Sequence, residues 1–83
     1  MSQVIRSPKQ LGAVIRRARQ SKGLTQTQVA RRAGMRQATI SEIESGRSGI
    51  SQDSLFALLA ALDLTLVADS RRSEDAPTIE DIF

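Results

Sequence analysis

From Gln26 to Glu44 the chain reads QTQVARRAGMRQATISEIE, two short helical patterns joined at Gly34. Thr25-Gln26-Thr27-Gln28 forms a capping box that opens the first pattern, which turns Val29, Ala30 and Ala33 inward. The second begins near Gln37, carries Ile40 and Ile43 inward and ends at Gly46. Helices this short do not persist alone in water, so they must pack on each other. Gly34 supplies the positive φ of a tight corner, which a Cβ resists. Ala30 is small enough to let the two axes approach, and Val29, Ile40 and Ile43 fill the angle between them.

Such a crossed pair is the helix-turn-helix arrangement, whose second helix projects where it can enter a DNA major groove. The outward residues of that helix are Arg36, Gln37, Ala38, Ser41 and Glu42. Gln pairs with adenine N6 and N7, Arg forks onto guanine O6 and N7, and Ala meets a thymine methyl. Glu42 can accept from cytosine N4, although solvation explains an exposed helical glutamate equally well. Gln26 offers backbone N–H groups and an amide to phosphate, with Thr39 and Arg47 flanking the same surface.

Working outward, Ser7-Pro8-Lys9-Gln10 announces an earlier helix, with Ser7 as cap, Pro8 at the first position and Gln10 reaching back to complete a capping box. Leu11, Val14, Ile15 and Ala18 recur on its inner face, and Gly23 stops it. Ser51 caps a last helix with Asp53 in its first turn and Leu55, Leu58, Leu59 and Leu62 on its apolar side. Leu64-Thr65-Leu66-Val67 is β-favouring and alternating, between Asp63 and Asp69. A lone strand has no partner within its own molecule, so pairing with the same strand of a second copy is expected. The competing reading makes these four residues a helix tail packed on its own core. The expected division is an N-terminal arm over 1–6, a DNA-binding and dimerisation domain over 7–68 and a flexible acidic tail over 69–83.

The chain has 83 residues, room for one small domain, and contains neither Cys nor His. Disulfides, thiol nucleophiles, common zinc sites and imidazole acid–base chemistry are thereby removed. No enzymatic, cofactor or metal site is expected. The longest uncharged apolar-rich run, Ser54 to Leu62, is far too short for a membrane span, and no signal-peptide pattern opens the chain. A cytoplasmic protein, nucleoid-associated when on DNA, is the expectation. The net charge of +3 hides a strong asymmetry. Residues 1–50 hold ten Lys/Arg against Glu42 and Glu44, whereas residues 51–83 hold Arg71 and Arg72 against seven acids. The basic half suits a polyanion partner. An adaptor that binds only protein is a competing class, which a near-zero salt slope in DNA affinity would favour.

On these residues the chain is similar to a known family. Residues 7–67 resemble the Xre/Cro-type helix-turn-helix domain of phage repressors. More narrowly, Ser7-Pro8, Gln10-Leu11, Thr25-Gln26, Gly34, Gln37-Ala38-Thr39-Ile40-Ser41 and Leu64-Thr65-Leu66 resemble the HipB-type antitoxins that partner HipA-type kinases. The resemblance implies an all-α, compact domain of four to five helices, with one short C-terminal strand pairing across a homodimer. It matches Arg36, Gln37, Ala38 and Ser41 to base-reading positions and Gln26, Thr39 and Arg47 to backbone-contacting ones. Arg19 and Glu44 match a structural ion pair, so Glu44→Ala is expected to cost stability more than sequence preference. The implied function is an operator-binding repressor that acts as antitoxin of a HipA-like serine/threonine kinase toxin and autoregulates their operon. A stand-alone repressor without a toxin is the alternative. Ile79, Ile82 and Phe83 are spaced as one helical turn behind Thr78, which on spacing alone fits a partner-binding turn and a tail without function equally. The resemblance makes them the expected toxin-binding anchors, with Phe83 where the family has a terminal Trp.

Overall fold

A computed structural model describes residues 3–47 and 49–71. These form four helices, α1 (Pro8–Ser21), α2 (Gln26–Ala33), α3 (Gln37–Glu44) and α4 (Gln52–Ala61), at the lower end of the expected four to five. The expected tail anchors Ile79, Ile82 and Phe83 lie outside the described residues. No helix among the described residues is long and apolar enough to cross a membrane.

The caps follow local chemistry. Ser7 accepts from the Gln10 N–H at 3.1 Å, while the Gln10 side chain reaches the Arg6 N–H, one residue beyond the expected capping-box partner. The Thr25/Gln28 box closes in both directions, at 2.8 and 3.1 Å. Gly34 adopts φ 70° and ψ 34°, and the Met35 N–H then reaches back to Ala30 O at 2.8 Å, closing α2 and turning the chain into α3. Ser51 caps α4 through the Ser54 N–H at 3.1 Å.

Helix α3 packs on both α1 and α2, and α2 packs also on α4. Ile15, Val29, Ile40, Leu58 and Leu62 are fully buried at the centre, with Ala30, Ile43 and Leu59 completing the core. Each of the larger side chains contributes about 1.5–3 kcal/mol by leaving water. Leu11, Ala18 and Leu55, expected on inner faces, are partly buried against this core. Val14 is half-buried.

Beyond α4, Asp63 takes φ 55° and the Leu64 N–H bonds Leu59 O at 2.8 Å, so the helix-tail reading of Leu64–Val67 does not hold. Leu64 packs on the core, whereas Leu66 and Val67 remain 54% and 73% exposed. No strand forms among the described residues; a ladder requires a second strand, which a single chain does not supply here.

One close approach between α1 and α3 is not expressed in the spacing of apolar residues. Gly12, inside α1, is buried where α1 crosses α3. A Cβ there would lie 2.3 Å from Ile43 O and 2.7 Å from Glu44 O, both backbone atoms that cannot step aside. Alanine in a helix gains about 1 kcal/mol over glycine, but forcing the helices apart costs about 1–3 kcal/mol or more. Gly12→Ala is therefore expected to lower the melting temperature by roughly 10 °C for a domain this small. A thermal denaturation midpoint equal to or above that of the wild type would contradict the close crossing.

Candidate nucleic-acid interface

Packing of Ile40 and Ile43 against α1 and α2 leaves the opposite face of α3 in solvent. Arg36, Gln37, Ala38, Ser41 and Glu42 are all exposed there, as their spacing predicts. Gln37 and Ser41 stand one turn apart on one stripe, and Ala38 and Glu42 form the adjacent stripe. Thr39 is half-buried at the margin of the core. Arg47, exposed in the loop after α3, donates its N–H to Glu42 O at 3.0 Å. It sits at the other end of α3, beside an apolar hollow lined by Ile5, Pro8, Leu11 and Ile50.

Ser7, Thr25 and Ser51 give side-chain oxygens to the N-termini of α1, α2 and α4, but the cap position of α3 is Arg36 and makes no such bond. The positive end of α3 is therefore left open, with a guanidinium added to it. This costs helix stability and leaves the N-terminus of α3 without the side-chain acceptor that the other three helices have.

Behind this face runs a hydrogen-bonded chain across three helices. Arg19 on α1 grips Glu44 on α3 with Nε to Oε2 at 2.7 Å and Nη2 to Oε1 at 3.0 Å, and its Nη1 donates to Leu24 O at 2.9 Å. The two side chains are only 14% and 5% exposed. Hydrogen bonding to Glu44 raises the Arg19 pKa above the ordinary guanidinium value; burial opposes this, and charge attraction adds to it. Gln26 Nε2 donates to Glu44 Oε1 at 3.2 Å, and Gln37 Nε2 donates to Gln26 Oε1 at 2.6 Å.

Donor and acceptor inventories fix the direction of every link. Arg19 only donates and the Glu44 carboxylate only accepts, so Gln26 must turn its NH2 to Glu44. Its carbonyl then faces Gln37, which must answer with an N–H. Gln37 is left with one free N–H and a free carbonyl on the solvent side. That is the pair of groups complementary to adenine N7 and N6.

The sequence placed Gln26 and Gln37 on one surface but not in contact, and it confined Glu44 to a structural part. In the structure the carboxylate also orients a residue of the exposed face. Folding back at the Gly34 corner brings the side chains of the first residue of α2 and the first residue of α3 together, a contact between residues eleven positions apart. Two further residues join the site. Arg16 and Ser45, with Gln26, Ser41, Arg19 and Glu44, line a shallow polar hollow of about 240 Å³ between α1, α2 and α3. Arg16 lies one turn before Arg19 and Ser45 one turn after Ser41, a spacing that could have revealed both.

The helix-turn-helix family matches residues 15–68 of this chain. The chain is 38% identical over 64 residues to antitoxin HipB of Escherichia coli O6:H1 (strain CFT073), covering 77% of this chain and 68% of that one. With antitoxin HipB of Escherichia coli K12 it shares 32% identity over 77 residues, covering 92% and 88%. Among solved structures, a chain of a HipA–HipB–O2–O3 complex superimposes with a TM-score of 0.78 at 32% identity, over 86% of this chain and all of that one. An all-helical core, an outward α3 and these similarities agree: the chain belongs to the HipB antitoxins of the helix-turn-helix family.

Proposed function

We propose that this protein is a sequence-specific transcriptional repressor that binds its operator as a homodimer, acts as the antitoxin of a HipA-like serine/threonine kinase and autoregulates their operon. The observation that carries the DNA reading is the outward amide of Gln37, whose free groups are set by Gln26, Glu44 and Arg19. Gln37 reads adenine, Arg36 reads guanine, Ala38 packs against a thymine methyl and Ser41 completes the base-reading set. Gln26, Thr39 and Arg47 hold the backbone, and Arg16 and Ser45 add a phosphate seat in the hollow beside Gln26. The basic balance of residues 1–50 supplies the sequence-independent attraction. The relative in the HipA–HipB–O2–O3 complex supports the same pair of partners.

Residues 7–68 act in this reading as the DNA-binding and dimerisation domain, preceded by an arm over 1–6 and followed by an acidic tail over 69–83. Exposed Leu66, Val67 and Phe56 give the dimer its apolar contact, with Leu64, Thr65, Leu66 and Val67 pairing antiparallel to their copies. The two recognition helices of such a dimer meet half-sites about 34 Å apart. Binding chromosomal DNA and a kinase places the protein in the cytoplasm. Its work is recognition, with no reaction of its own.

Gln37→Ala is expected to weaken operator binding by roughly 1–3 kcal/mol and to relax preference at one base pair of each half-site. Fluorescence anisotropy on duplexes varied one position at a time reads this directly. An equal loss on every sequence would make Gln37 a backbone contact. For the second partner, deleting residues 77–83 is expected to weaken binding to the co-expressed kinase and leave operator affinity intact. Full kinase affinity in the truncated protein would remove Ile79, Ile82 and Phe83 from that interface.

A further inference from the structure

Residues 1–50 contain two acids, Glu42 and Glu44. Glu44 is held by Arg19 and Gln26. Glu42 is exposed on the outward face of α3, and among the described residues its carboxylate makes neither a hydrogen bond nor an ion pair. The contacts of this residue are at its backbone oxygen, which accepts from the Arg47 N–H at 3.0 Å and from Ser45 Oγ at 2.9 Å. An unpaired carboxylate on a face that meets phosphates lowers affinity for DNA in general. A contact made only at particular sequences would offset that loss there and nowhere else.

We propose that Glu42 is a specificity-determining residue that selects cytosine in each half-site, an inference that rests on the DNA-binding reading above. Glu42 follows Ala38 by one turn on the same exposed stripe, so the two side chains face neighbouring base pairs, and the small Ala38 leaves the longer one room to reach. A carboxylate can only accept. In the major groove guanine offers two acceptors, thymine offers an acceptor and a methyl, and adenine sets the N7 acceptor beside its N6 donor. Cytosine offers the N4 donor with no acceptor beside it on its own ring. Glu42 is thus best matched to cytosine, only partly matched to adenine, whose N7 faces it beside the N6 donor, and mismatched to guanine and thymine. It works as much by rejecting wrong sites as by holding the right one.

The test is selection from a randomised duplex library by the wild type, Glu42→Gln and Glu42→Ala. The wild type should require cytosine at one position of each half-site, by roughly tenfold to a hundredfold over other bases. Glu42→Gln should move that preference to adenine, because an amide both donates and accepts, and leave the Gln37 position unchanged. Glu42→Ala should lose the preference there while binding random DNA more tightly. Variants that shift every sequence by one common factor would reduce Glu42 to a general charge and overturn the inference while leaving the DNA reading intact. A wild type that selects no sequence would overturn the DNA reading, and this inference with it.

Discussion

The Arg19–Glu44 pair is the interaction on which the outward face of this domain depends. A carboxylate and a guanidinium largely removed from water are costly unless each finds its partner, and removing one leaves the other charged and unsatisfied. Here the pair is bidentate, and a third guanidinium nitrogen holds Leu24 O in the α1–α2 turn. One guanidinium therefore both joins α1 to α3 and holds the turn that launches α2. Because one member can only donate and the other only accept, the pair also imposes a direction on whatever bonds to it. Gln26 and Gln37 inherit that direction, and the exposed amide ends in one orientation instead of two. Structural support and chemical information travel through one network, so a purely structural description of Glu44 is incomplete.

Most of the fold was legible because it is local. Thr25 with Gln28, Ser7 with Gln10 and Ser51 with Ser54 are contacts within one helical turn, which sequence spacing expresses directly. Gly34 was legible because a positive φ between two short helices leaves few other choices of residue. Gly12 was not, since its role lies in the approach of a carbonyl thirty-odd residues away and nothing in the period of α1 announces it. The partner of Gln10 shifted by one residue for a related reason: the arm before Ser7 is oriented by contacts such as Arg17 Nη2 to Gln3 Oε1 at 2.8 Å, which spacing does not encode. For the site, the exposed set on α3 followed from its period, while the Gln26–Gln37 bond required the crossing angle of two helices.

The electrostatic design divides labour in space. In the proposed complex Arg16, beside the polar hollow, places positive charge toward the phosphate chain, while Arg36 at the open end of α3 reaches for a base. The neutral groups of Gln37, Ala38 and Ser41 occupy the stripes between them. Charge of this kind gives affinity for any duplex, and neutral, oriented donors and acceptors distinguish one duplex from another. The surface tie Lys22–Asp63, at 3.2 Å and well exposed, contributes little by comparison.

A buried ion pair sets the outward amide of Gln37 through Gln26. A double-mutant cycle between Glu44→Gln and Gln37→Ala, measured as affinity for a duplex selected by the wild type and on variants shown to be folded by circular dichroism, tests it most directly. A coupling energy of about 1 kcal/mol or more is predicted, because the two residues act in one hydrogen-bonded chain. Losses that add within about 0.3–0.5 kcal/mol would mean that Glu44 and Gln37 act independently and that the ion pair does not set the exposed amide.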